Sequence, residues 1–226
     1  MRELKICALI PVWNESERIA SVVRGSRERV EAVVVVDDGS TDGTADVAER
    51  AGAACLRLPR HQGKGAAVRA GLAYILERDF THVLFLDGDG QHKPEDIPKL
   101  IETASAGGAG MVIGARPFDR SSMPLARYCS NRFGSLIASW LAGATIRDSQ
   151  SGFRLIRTDS LRPLRLRARK YEIEMEILIK LRRAGCRVEH APIEMIYERG
   201  RARSKMKPVR DTIRICLWSL AFRWGK

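Results

Sequence analysis

Two groups of aspartates carry the chemistry that this chain can do. Asp37-Asp38-Gly39-Ser40-Thr41-Asp42 follows the apolar run 32–36, and Asp87-Gly88-Asp89 follows the run 82–86. Each group stands at the end of an expected buried strand, where open α/β sheets gather their ligand sites. Carboxylates at i and i+2, as in Asp87 and Asp89, bring two hard oxygens to one divalent ion if the backbone turns after the strand. That geometry suits a phosphate-bearing donor. Read as plain polar turns, the two groups would explain their glycines but leave five nearby carboxylates uncompensated, unless cations or hydrogen-bond donors approach.

The elements that must position these carboxylates alternate along the chain. A strand at 6–12 leads through Asn14-Glu15-Ser16-Glu17 to a helix at 19–27, with Ser16 as the expected N-cap. A strand at 32–36 leads to a helix at 44–51, and a short strand follows at 55–58. The unbroken valines 33–36 suit a strand covered on both faces, as in a parallel sheet with crossover helices. A helix between 63 and 76, a strand at 82–86, a helix at 95–104 with Pro94 in its first turn, and a strand at 111–114 continue the series. Beyond 115 the alternation weakens into a helix near 127–141, a polar turn at 148–152, a strand at 153–157 and a helix at 172–184. A doubly wound α/β domain is the leading fold.

At 226 residues the chain can bury a full core without staples. Its five cysteines are scattered, odd in number and lack a Cys-x-x-Cys pair, so they suggest neither a disulfide framework nor a structural zinc site and point to a reducing compartment. The N-terminal apolar stretch is too short for a signal-peptide core, and no apolar run is long enough to span a bilayer, so the cytoplasm is the expected location. The net charge of +12 favours a polyanionic partner: nucleic acid, an anionic membrane surface or phosphorylated ligands. No RNA-binding aromatic motif or zinc-finger spacing supports nucleic acid.

With these residues in place, the chain resembles glycosyltransferase family 2, of GT-A fold, and more narrowly its polyprenyl-phosphate and dolichyl-phosphate mannosyl- or glucosyltransferases. The matching stretches are PVWNE at 11–15, DDGSTDGT at 37–44, HQGKGAAVRAG at 61–71, DGDGQHKPED at 87–96 and DSQSGFR at 148–154, with ERGRARSK at 198–205 similar to the family's late basic segment. The resemblance implies a Rossmann-like, open, mixed but mostly parallel sheet flanked by helices, here a catalytic domain at 1–207 followed by an amphipathic helix at 208–226. It implies that Pro11, Asn14 and Glu15 contact the nucleotide, that Asp38 reads the base and that Asp37 positions the ribose. The glycines of 61–71 would let the donor approach closely, Lys64 would neutralise its phosphates, and Gly88 would lie beside them. Asp87 and Asp89, with Gln91, would hold Mg²⁺ or Mn²⁺ and a nucleotide-sugar diphosphate, Asp89 being the strongest ligand candidate. His92 reads equally well as a turn histidine.

A lipid-phosphate acceptor is already anionic near neutral pH and needs cations to guide it more than a base. Arg116, Arg132 and Arg154, with Arg199, Ser204 and Lys205, are the candidates to bind diphosphate or acceptor phosphate. Arg154 is expected to orient the attacking oxygen, and Asp148 to orient Arg154 or another cation. From 208 to 224 apolar residues recur at helical spacing among arginines and tryptophans. That pattern fits either a helix at an anionic interface or one packed on the domain. The expectation is an inverting transferase that moves a hexose from GDP-mannose or UDP-glucose to polyprenyl phosphate, peripheral at the inner face of the cytoplasmic membrane. A family-2 enzyme acting on a soluble glycan or small hydroxyl acceptor is the alternative, and a noncatalytic nucleotide or nucleic-acid binder a third.

Overall fold

A computed structural model describes residues 4–117, 125–194 and 208–223. Seven strands form one sheet in the order β3-β2-β1-β4-β6-β5-β7: β1 Ile6–Val12, β2 Ala32–Asp37, β3 Ala54–Arg57, β4 His82–Phe85, β5 Met111–Ala115, β6 Arg154–Arg157 and β7 Val188–Pro192. Only β6 runs against its neighbours, pairing antiparallel with both β4 and β5. The sheet is mixed and mostly parallel, with helices on both faces, as the resemblance implies.

The strands are buried on both sides, so their residues divide between two cores. Cys7, Leu9, Val34 and Val36 point to one core, walled by α3 (Lys64–Leu76), α5 (Leu125–Ala142), the short α6 (Thr158–Leu161) and α7 (Glu172–Arg183), with Ile215 of α8 (Pro208–Arg223) joining it. Ala8, Ile10, Val33 and Val35 point to the other, walled by α1 (Ile19–Arg27), α2 (Thr44–Arg50) and α4 (Ile97–Gly107). Each fully buried Leu, Ile or Val contributes about 1.5–3 kcal/mol, so the two-sided burial of β1 and β2 makes these strands the rigid base of the site.

The structure departs from the sequence expectations locally. Ser16 does not cap α1: the helix starts at Ile19 after Arg18, with no side-chain cap, while the Ser16 amide donates to Asp42 Oδ2 at 3.1 Å. β7 was not anticipated, and it extends the sheet beyond β5 in parallel register, Met111 opposite Val188. The helix at 208–223 packs one face on the domain, burying Asp211, Thr212, Ile215, Cys216 and Ser219. Among the described residues no helix is long and apolar enough to cross a membrane.

Candidate active site

Because β1, β2, β4 and β5 run the same way, their carboxyl ends share one edge of the sheet, and antiparallel β6 delivers its amino end there. The loops at this edge are stitched to one another. Asn14, at φ 50°, accepts a hydrogen bond from the Thr41 amide at 2.9 Å, and its own amide donates to Ser40 Oγ at 2.8 Å. The Glu15 amide donates to Thr44 Oγ1 at 2.8 Å, and Asp37 Oδ1 accepts from the Ser40 amide at 2.9 Å. Asp38 is buried and accepts from the Gln62 and Gly63 amides at 2.8 and 2.7 Å, with His61 Nδ1 at 2.8 Å. Asp37 and Asp38 therefore anchor loops, and Asp38, Glu15 and Pro11 also line the cleft at this edge. Asp42 ties Ser16 to Thr44; burial opposes its ionisation, but these hydrogen bonds outweigh it and hold the carboxyl at about 2.

The second aspartate group meets a lysine. Lys64 Nζ lies 2.5 Å from Asp87 Oδ1 and 2.5 Å from Glu174 Oε1. Burial works against charge on both Lys64 and Asp87, but their mutual attraction wins, raising the lysine and lowering the carboxylate. Among the described residues no cation pairs with Asp89: burial first, then repulsion from Asp87, push it up to about 6. Two close carboxylates with hard oxygens are compatible with a divalent cation. No cluster of three or more His, Cys, Asp or Glu side chains that could hold a metal occurs among the described residues. The pair fits Mg²⁺ or Mn²⁺ completed by phosphate oxygens, the usual way such ions are held. Gln91 and His92 line the same cleft. Burial lowers His92 to about 4, and its buried Nδ1 has no hydrogen-bond partner among the described residues, whereas metal-bound imidazoles normally donate from their second nitrogen.

The glycines are explained by packing. A Cβ on Gly152 would overlap the Asp87 carboxylate, and one on Gly88 would overlap Val12. Gly63 and Gly65 make room for the backbone of Arg169 and Ala168, so the closeness they permit is to the protein's own chain rather than to a donor. Lys64, the next residue in that turn, is what reaches the cleft.

Arg154 corrects the expectation most sharply. It is 2% exposed, and its three nitrogens donate to the carbonyls of Ser151, Glu174 and Ser149 at 2.8, 2.7 and 2.7 Å. Three of its five N–H groups are used on backbone, so it braces the 149–152 loop against the start of α7 and does not line the main cleft. Asp148 serves Arg116 instead: Oδ2 accepts from Nε at 2.5 Å and Oδ1 from Nη2 at 2.7 Å. Burial opposes ionisation of Asp148, but Arg116 holds it low. Arg116 lines the cleft, whereas Arg132 sits on the exposed side of α5 and does not. Arg199, Ser204 and Lys205 lie outside the described residues.

One cleft of about 180 Å³ joins these groups, and several of its walls were not foreseen. Trp13 stacks on His61 with ring centroids 4.2 Å apart beside Asp38. Asn131 of α5 and Thr212, Ile215 and Cys216 of α8 close the far side, and Tyr171 and Glu174 flank Lys64. Glu174 does not stand out in the sequence because it sits between Glu172 and Glu176, a spacing that reads as ordinary acids complementing a helix N-terminus.

Comparison with known proteins agrees with this architecture. Undecaprenyl-phosphate mannosyltransferase from Micrococcus luteus is 31% identical over 98% of this chain and 96% of its own. Polyprenol monophosphomannose synthase from Mycolicibacterium smegmatis is 29% identical over 96% of this chain and 85% of its own. Glucosyl-3-phosphoglycerate synthase from Mycobacterium tuberculosis, solved with Mn²⁺, UDP-glucose and phosphoglyceric acid, has the same fold. Its TM-score is 0.74 at 20% identity, covering 98% of this chain and 80% of that one. The glycosyl transferase family 2 pattern matches residues 7–165, and the chain belongs to that family, resembling its polyprenyl-phosphate sugar transferases.

Proposed function

We propose that this glycosyltransferase moves a hexose from a nucleoside-diphosphate sugar, GDP-mannose or UDP-glucose, to a polyprenyl phosphate, with inversion at the anomeric carbon. The observation that carries the reading is the meeting in one cleft of the Asp87–Asp89 pair with two cations, Lys64 and Arg116. Like-charged carboxylates at one end suit a divalent ion; cations beside them suit phosphate. The stacked Trp13–His61 pair beside Asp38 offers a planar surface to a base. Bound Mg²⁺ or Mn²⁺ would neutralise the charge that grows on the departing nucleoside diphosphate. Lys64 would add positive charge at the same phosphates. Arg116, fixed by Asp148, would face the acceptor phosphate, whose oxygen is anionic without a base. Arg199, Ser204 and Lys205 would join from the basic segment. The relatives named for undecaprenyl-phosphate and polyprenol substrates support the lipid acceptor.

A second reading, transfer to a soluble acceptor, draws on one feature. Glu174 places a carboxylate in the cleft, where a hydroxyl acceptor would need a base, and the solved structural relative carries a phosphoglycerate. Incubating the purified protein with a panel of nucleotide sugars and either short polyprenyl phosphates or small hydroxyl acceptors, with products identified by mass, separates the two. A lipid product supports the first reading, and a glycosylated soluble acceptor the second.

The protein is also proposed to meet an anionic membrane from one side, at the inner face of the cytoplasmic membrane. Phe133, Leu136 and Trp140 of α5 and Ile213 and Leu217 of α8 are exposed, and these helices also wall the cleft.

A further inference from the structure

The Lys64 ammonium is held by two carboxylates, Asp87 Oδ1 and Glu174 Oε1, each at 2.5 Å. The two anions differ in what else they must do. On the reading above, Asp87 also receives a divalent cation, and a divalent ion and an ammonium repel each other at one carboxylate. The lysine must give up its hold on Asp87 when the ion arrives. Glu174 remains.

Its place is built into the fold. The Glu174 carbonyl accepts from buried Arg154, whose other nitrogens grip Ser149 and Ser151, and Gly152 in the same loop abuts the Asp87 carboxylate. The start of α7 and the Asp87 turn are therefore held at fixed separation, with Lys64 between them. We infer that Glu174 is a positioning residue for Lys64: it retains the ammonium in the cleft when a divalent cation takes Asp87. The exchange lets one site satisfy its buried charge in both states, with Lys64 neutralising Asp87 before the ion binds and pairing with Glu174 afterwards. The inference rests on the metal-dependent reading of the site, and it assigns Glu174 work that neither the nucleotide nor the acceptor requires.

A double-mutant cycle on the full chain tests it, with free Mn²⁺ counted by electron paramagnetic resonance, alone and with UDP or GDP present. Glu174→Gln is expected to weaken Mn²⁺ binding about tenfold, because Lys64 then has no second anion and keeps competing for Asp87. Lys64→Met is expected to tighten Mn²⁺ binding in the absence of nucleotide. In the Lys64→Met background, Glu174→Gln should change affinity less than about twofold. Glu174→Asp, which keeps the charge, should restore binding to within about threefold of the wild type and serves as the folding control, with circular dichroism of each variant. An equal loss on Glu174→Gln in both backgrounds would show a direct field on the ion and overturn the inference, as would weaker Mn²⁺ binding by Lys64→Met than by the wild type. Wild-type protein that binds no Mn²⁺ in any condition would remove the metal reading itself. Binding that ignores Glu174 would overturn this inference alone.

Discussion

Asp87 and Asp89 flank Gly88 in one turn, and among the described residues Lys64 is ion-paired with Asp87. Asp89, which accepts from the Gln91 amide at 3.0 Å, is proposed to work on the leaving group through the cation rather than on the core, so Asp89→Asn should lower kcat by about 100-fold or more while moving Tm by a few degrees at most. Near-normal rates at limiting metal would exclude that role. Arg154 calls for the opposite prediction. Removing a buried guanidinium strands three carbonyls, so Arg154→Met should cost about 3 kcal/mol or more of stability, read by denaturant unfolding. A stable variant that loses only acceptor-dependent turnover would return Arg154 to the acceptor site. Sequence alone could not make this distinction, because an arginine in a loop motif next to Asp148 reads as a surface fork. Its burial depends on α7, about twenty residues away along the chain.

At the scale of elements, the strands with unbroken apolar runs were legible, since β1, β2 and β4 are covered on both faces and carry little else. β7 was not. Its sequence, VEHAP, mixes charge with apolar residues because it lies at the sheet edge, with β5 its single neighbour, and its pattern offers neither alternation nor a run. The end helix was legible as amphipathic, but not its dual use. α8 turns Ile215 and Cys216 inward to the cleft and leaves Ile213 and Leu217 exposed, and α5, which packs against it, likewise exposes Phe133, Leu136 and Trp140. The described outer side chains of the two helices add Arg132 and Arg210 and no exposed acid, a composition suited to anionic headgroups. Replacing Leu136 and Leu217 together by Asp should cut co-sedimentation with anionic vesicles about tenfold or more, leaving Tm within a few degrees. Deleting α8 would be a poorer test, because it also removes a wall of the cleft. Equal vesicle binding by the folded double variant and the wild type would rule out this face.

For the whole molecule, parallel strands bring the chemistry to one edge of the sheet, where Lys64 and Arg116 set positive charge in the cleft that holds the acidic pair. The motif order announced this arrangement because each motif ends a strand. The cleft's far wall was hidden because it is made by α5 and α8, which are distant in sequence and meet only in the fold. If Asp87 and Asp89 act through a divalent ion, rigorous chelation should abolish turnover and added Mg²⁺ or Mn²⁺ should restore it. Unchanged turnover after chelation would leave the pair without that role. The direct measurement offers the purified protein a nucleotide sugar with equal concentrations of a short polyprenyl phosphate, the corresponding polyprenol lacking phosphate, and 3-phosphoglycerate, and weighs the products by mass spectrometry. One hexose added to the polyprenyl phosphate alone is the predicted result; a hexose on 3-phosphoglycerate or on the free alcohol, with the lipid phosphate untouched, would contradict it.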